Sequence, residues 1–214
     1  SWIERESAGG HRLRMARFGR SGQWQQTRQV ASGRHWFVNW ADFPSTSATA
    51  DGTLWAHNLV KRGKGSYAYD VVLYRSGDGG KHWSKPMTVH DDRTESEHGF
   101  ATLWPWSKNE IAIAWLDGRH TATGNDHSQH DAHNAMKKTD MNKAMTLRAA
   151  TFNRQGRKTR EWLLDSSTCD CCQTDSSLTT QGPVVIYRNR TADEIRDIQI
   201  MRYVAGRWLA PQAV

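Results

Sequence analysis

An all-β chain of repeated antiparallel sheets is what this sequence predicts, and three observations carry the prediction. Short apolar runs alternate with period two, as in Leu147-Arg148-Ala149-Ala150 and Ile198-Gln199-Ile200-Met201, the pattern of half-buried strands. Eleven tryptophans sit in a chain that is only 37% hydrophobic, a composition suited to aromatic packing between thin sheets. The third observation is an order of segments that recurs: strand, strand, turn, then a tryptophan, at Trp24, Trp83, Trp162 and Trp208. No segment combines a capped start with helical periodicity.

In chain order, four units follow. Residues 1–37 hold Trp2 to Arg5, then His11 to Phe18, then a Gly-rich turn before Trp24, and read as the outer half of a blade. Residues 38–97 hold an innermost strand from Val38 to Ser45, then Leu54 to His57, Asp70 to Tyr74 and a turn closing at Trp83. In 98–168 come His98 to Trp104, Ile111 to Arg119, Met145 to Phe152 and Trp162; in 169–214 come Cys172 to Leu178, Pro183 to Arg190, Arg196 to Tyr203 and Trp208. The spacing between the closing tryptophans is uneven. A blade array tolerates this, because each four-stranded blade packs only on its neighbours while its loops are free to lengthen. The expected fold is therefore a single β-propeller fragment of about three blades over residues 1–214. A closed ring needs at least four blades. A start at Ser1-Trp2-Ile3-Glu4, without an initiator Met or a signal-peptide pattern, fits a fragment or a processed chain.

The best-defined turn is Ser76-Gly77-Asp78-Gly79-Gly80-Lys81-His82-Trp83. Asp78 can accept backbone N–H groups around the turn, Gly79 and Gly80 supply positive φ, and Trp83 can fold under the loop as an apolar plug. The Ser76, Asp78, Gly80 and Trp83 pattern resembles the Asp-box of the bacterial neuraminidase repeat, with His82 where that box usually has Thr. Further segments resemble a group of sialidase-like propellers: Cys169-Asp170-Cys171-Cys172-Gln173-Thr174, Tyr187-Arg188-Asn189-Arg190, Arg196-Asp197-Ile198, Asn39-Trp40-Ala41-Asp42-Phe43-Pro44 and Leu116-Asp117-Gly118-Arg119. The resemblance runs from about Val38 to Trp208. It implies a six-bladed ring and an exo-α-sialidase type of glycoside hydrolase acting on sialic-acid-like or other anionic glycans. The alternative is a non-catalytic propeller that binds glycan or protein on the same face.

Sialidases hold the substrate carboxylate with three arginines, use a Tyr with a Glu partner as nucleophile and an Asp as acid. On that resemblance Arg119, Arg190 and Arg196 are the substrate-binding candidates, Asp42 or Asp117 the acid, and Tyr187 the nucleophile. The Phe/Tyr-Arg-Ile-Pro motif that carries the first arginine in the family is absent, and the nucleophile in the family comes from a later blade. A planar guanidinium is suited to a carboxylate, yet Arg190 and Arg196 also have Asp193, Glu194 and Asp197 beside them in sequence as local partners.

The formal charge is +7, but the basic residues are scattered rather than gathered into a stripe, which argues for an anionic small molecule or an ordinary basic surface and against nucleic acid. No run of about 18 apolar residues is present, so no membrane-spanning helix is expected. The insertion from Arg119 to Lys143 carries His120, His127, His130 and His133 with Asp126, Asp131 and Asp140; their spacing matches no metal signature and reads as a solvated loop. No metal or cofactor is expected. Cys169, Cys171 and Cys172 lie too close for an easy bridge between neighbours, leaving packed thiols or a bridge to a cysteine beyond Val214. A bridge would suit a periplasmic or secreted setting, which the sequence leaves open.

Overall fold

The computed structural model describes residues 1–121 and 143–214. Among them the chain forms sixteen strands and no α-helix. Sheet I contains β1 (Trp2–Arg5), β2 (His11–Met15) and β3 (Arg28–Gly33). Sheet II contains β4 (Thr46–Ala48), β5 (Leu54–Lys61), β6 (Tyr69–Ser76) and β7 (Met87–Thr88). Sheet III is ordered β11 (Lys158–Thr168), β10 (Met145–Asn153), β9 (Glu110–Asp117), β8 (His98–Pro105). In sheet IV, β12 (Asp175–Thr179), β13 (Gly182–Arg188) and β14 (Ile198–Val204) lie side by side, with β15 (Arg207–Trp208) and β16 (Gln212–Ala213) both on β14. Neighbouring strands within each sheet run antiparallel.

The sheets stack face to face because their central strands are apolar on both faces. In β6, Tyr69, Val71 and Leu73 point one way and pack with Trp55 of β5 and with Ile111, Ile113 and Trp115 of β9. Val72 and Tyr74 point the other way, onto Leu13 and Met15 of β2. Strand β9 repeats the division: its intervening residues Ala112, Ala114 and Leu116 face Val185 and Tyr187 of β13 and Met201 of β14. Period-two alternation thus sends successive residues of one strand into two different cores. Full burial of each large side chain stabilises the stack by about 1.5–3 kcal/mol.

Two sequence expectations shift. Val38 to Ser45 is not a strand: the Asn39 side chain accepts the Ala41 and Asp42 N–H groups at 2.7 and 2.6 Å, curling the chain into a turn before the short β4. Trp24, the tryptophan read as closing the first unit as Trp83 closes the second, is 70% exposed and pairs edge-on with Phe18. Trp83, in contrast, packs on the core between sheets I and II, and Trp162 and Trp208 pack on the core between III and IV.

The loop after β6 shows what its residue types do. Asp78 Oδ1 accepts the backbone N–H groups of Lys81 and His82, both at 3.0 Å, and the Ser76 hydroxyl at 2.8 Å; Ser76 Oγ in turn accepts the Gly80 N–H at 2.9 Å. Gly79 and Gly80 have φ of 74° and 85°, where a side chain is strained. These bonds hold the Asp78 carboxyl well below the usual range, the His82 N–H being the largest cause.

Candidate functional site

At the end of the stack where β6 and β8 begin, and where β9 and β11 end, the connecting loops surround a cavity of about 610 Å³. Its walls carry the aromatic rings of Phe37, Trp40, Tyr67, Tyr69 and Phe100 and the carboxyls of Glu97 and Asp170. Each is placed by local backbone. Tyr69 opens β6 and is tied to the segment before β8 by its N–H to Ser96 O at 3.2 Å, which sets it beside Glu97. Phe37 stacks flat on the Tyr69 ring at 4.0 Å between centroids.

The Tyr69 hydroxyl donates to Glu97 Oε1 at 2.5 Å. Burial pushes the Glu97 carboxyl up to about 7, an effect reinforced by the nearby Asp170 and Asp42 charges and partly offset by the Tyr69 bond. The same burial and the Glu97 charge push the Tyr69 phenol far above its ordinary value. Asp42 lies just beneath the wall, 4% exposed, with Oδ2 accepting the Phe100 N–H at 2.6 Å and Oδ1 buried without a hydrogen bond. Burial pushes it, too, up to about 7, the Phe100 N–H acting against the rise. Two carboxyls near a shared phenol therefore titrate close to neutrality.

A backbone distortion makes this possible. The β8–β9 register slips between Gly99 and Thr102, and Phe100 adopts φ 51°, a left-handed conformation rare for a bulky buried residue. The twist aims the Phe100 N–H at Asp42, while Thr174 fixes the Phe100 carbonyl at 2.5 Å. Gly99 is required by close approach: a Cβ there would collide with the Asp42 carboxylate and lie 2.8 Å from the Tyr69 ring.

Of the motifs quoted from the sequence, Asn39 to Ala41, Asp170 and Cys171 line this cavity, but of the catalytic and substrate-binding candidates only Asp42 adjoins it, behind Phe100. Tyr187 is 1% exposed in β13, inside the core between sheets III and IV, with its hydroxyl bonded to Asp165. Asp117 is fully buried at the end of β9 and is saturated: Trp115 Nε1 donates at 2.8 Å, and Arg119 donates through Nε at 2.7 Å and Nη2 at 2.8 Å. Burial raises its pKa, but Arg119 and His98 outweigh that and leave it low. Arg119 is spent there and on Asp92 and Glu161, 3.4 and 3.6 Å away. Arg190 and Arg196 do come together, on Glu194 of their own loop at 2.8 and 3.0 Å, flanking Asp170 at 3.9 and 3.8 Å. The arginines thus form two separate clusters. Tyr69 and Glu97, which sequence reasoning passed over, carried one signal: each lies at or just before the start of a predicted strand that comes to the same end of the stack.

Beside Asp117, His90 and His98 stack at 3.6 Å between centroids, with Asp70 on one side and Asp92 on the other. Their spacing is small enough to suggest an ion. The geometry does not fit one held by both rings: the planes are within 9° of parallel and share no point at which both lone pairs could meet. Between His98, Asp92 and Asp117 the cationic place is already filled by the Arg119 guanidinium. The cluster is a polar network whose permanent cations are Arg119, on Asp117 and Asp92, and Arg62, on Asp70. Of the His-rich insertion, His120 is exposed, whereas His127, His130 and His133 with Asp126, Asp131 and Asp140 lie outside the described residues. The cysteines pair as Cys169–Cys172, a bridge within the motif rather than to a distant partner, and leave Cys171 as a thiol on the cavity wall.

No protein-family model matches the chain, and no curated protein does. Among solved structures, a protein of unknown function from Dyadobacter fermentans is similar over 99% of this chain and 67% of its own, at 14% identity and a TM-score of 0.53. A polysaccharide lyase of family 25, an ulvan lyase, is similar over 95% of this chain and 49% of its own, at 13% identity and a TM-score of 0.49. A thermostable family-43 glycoside hydrolase is similar at 9% identity and a TM-score of 0.46, over 96% and 72%. The chain spans about half the length of the ulvan lyase chains, 49% and 57% in two structures. At these identities the likeness to the Dyadobacter protein is one of fold.

Proposed function

We propose that the cavity is a glycan-processing site that works by retaining glycoside hydrolysis, with Tyr69 as nucleophile and Glu97 as its base. The observation that carries this reading is the 2.5 Å Tyr69–Glu97 bond at the wall of an aromatic cavity; unlike Tyr187, Tyr69 borders the cavity, but it is 0% exposed, so attack requires the wall to open over its hydroxyl. Glu97 accepts the phenol proton as Tyr69 Oη forms a bond to the anomeric carbon and the glycosidic C–O bond breaks; water later releases the sugar. Burial holds Asp42 and Glu97 each near 7, where a carboxyl can serve as acid or base, and Asp42 is given the acid role of protonating the leaving glycosidic oxygen. Aromatic walls suit the apolar faces of a sugar ring.

The four sheets are consecutive parts of a six-bladed ring in this reading, and the Cys169–Cys172 bridge suits an exported chain. Exo-α-sialidase specificity, with Arg119, Arg190 and Arg196 as its carboxylate clamp, would require the guanidiniums to leave Asp117 and Glu194. A second reading, a glycan- or protein-binding propeller without turnover, draws support from that same engagement of the arginines.

The test is release of a fluorogenic aglycone from aryl glycosides, an aryl α-sialoside among them, by wild type and Tyr69→Phe. Removing the phenol oxygen lowers turnover at least about a hundredfold, the scale of one chemical group in the transition state. Equal turnover in both proteins removes Tyr69 as nucleophile, and no turnover by folded wild type on any of the glycosides removes the enzyme reading.

A further inference from the structure

Resting on the glycan reading above, we propose that the cavity selects a sugar bearing a protonated amine, such as a hexosamine whose amino group is free, rather than an anionic sugar. Two observations support this. Glu97 and Asp170 stand on the wall with Asp42 just beneath, while the guanidiniums nearest to Asp170 are engaged bidentately or singly by Glu194. Among the described residues the cavity lining thus carries two carboxyls and no lysine or arginine, the two guanidiniums flanking Asp170 at 3.9 and 3.8 Å while making their closest bonds to Glu194. Second, the rings of Phe37, Trp40 and Tyr67 line the same space, and an ammonium is attracted to aromatic rings as well as to carboxylates.

The neighbouring groups report the same field. Burial and the Asp170 charge push the Cys171 thiol up, with Arg196 acting only as a partial offset, and Asp170 and Asp42 both raise Glu97. A carboxylate ligand would add to this repulsion. An ammonium would relieve it and would draw Glu97 toward its ionised form, the form that accepts the Tyr69 proton. Selection and activation would then come from one charge.

The experiment is a fluorescence titration of the full chain, read through its tryptophans, Trp40 being 95% exposed at the cavity rim. The ligands are a glucosamine trisaccharide, its fully N-acetylated counterpart and sialyllactose. The amine trisaccharide is expected to bind at least about tenfold more tightly than the acetylated one, and Asp170→Asn should bring the two affinities to within a few fold of each other. Equal binding of the two trisaccharides, or tighter binding of sialyllactose, overturns the amine inference and leaves the glycan reading standing. Binding of none of the three overturns both.

Discussion

Two groups of buried carboxyls sit a few residues apart in this fold and behave in opposite ways. Asp92 and Asp117 lie among Arg119, His98 and the Thr94 hydroxyl, which hold both below the ordinary carboxylate range despite burial. Asp42 and Glu97 lie at the cavity with a backbone N–H and a phenol for company, and burial leaves both near 7. The difference is one of counter-charge, since burial alone raises every carboxyl. Where a carboxylate must hold the stack together the chain supplies a guanidinium. Where a proton must move it supplies neutral donors, and the charge is left for a ligand to answer.

Breaking the paired group should have the largest effect on stability. Asp117→Asn leaves Arg119 and its neighbours without their buried counter-ion, a loss of about 3–5 kcal/mol and on the order of 10 °C in melting temperature, measured by thermal and urea unfolding. No loss would mean that the network is not what joins these loops. Gly99→Ala should cost about 1–3 kcal/mol by overpacking and should abolish turnover, since its methyl displaces Asp42 and Tyr69 together. Asp42→Asn sharpens the comparison with the opposite sign. A carboxyl whose folded pKa is about 7 binds more protons folded than unfolded between about pH 4 and 7, so it contributes less and less stability as pH rises through that window. The variant should therefore gain on wild type from pH 4 to pH 7 and hold the gain above it, in urea titrations at each pH. A constant difference would show that Asp42 titrates normally.

Much of the sheet structure could be read from the chain. Val71 and Leu73 alternating with Val72 and Tyr74, and the Ser76–Trp83 turn with its glycines, state their conformations locally. The site was legible only in part. Asp42 adjoins the cavity, but Tyr69 and Glu97 stand 28 residues apart and meet only because two strands start at the same end of the stack. Arg119, Arg190 and Arg196 look alike in sequence, and what separates them is which carboxylate lies within reach after folding. Asn39 likewise bends a segment whose composition passes for a strand, through side-chain bonds that no pattern of hydrophobicity records.

The alternating faces of β6 and β9 have a kinetic consequence. Sheets II and III are each covered on both sides, whereas sheet I packs on one neighbour and sheet IV exposes Leu178, Ile186 and Ile198. Cooperativity in such a row passes between nearest neighbours. Amide hydrogen exchange should therefore be slowest in β6 and β9, at the rate set by unfolding of the whole row, and should quicken outward toward β1 and β16, where opening a single plate is enough.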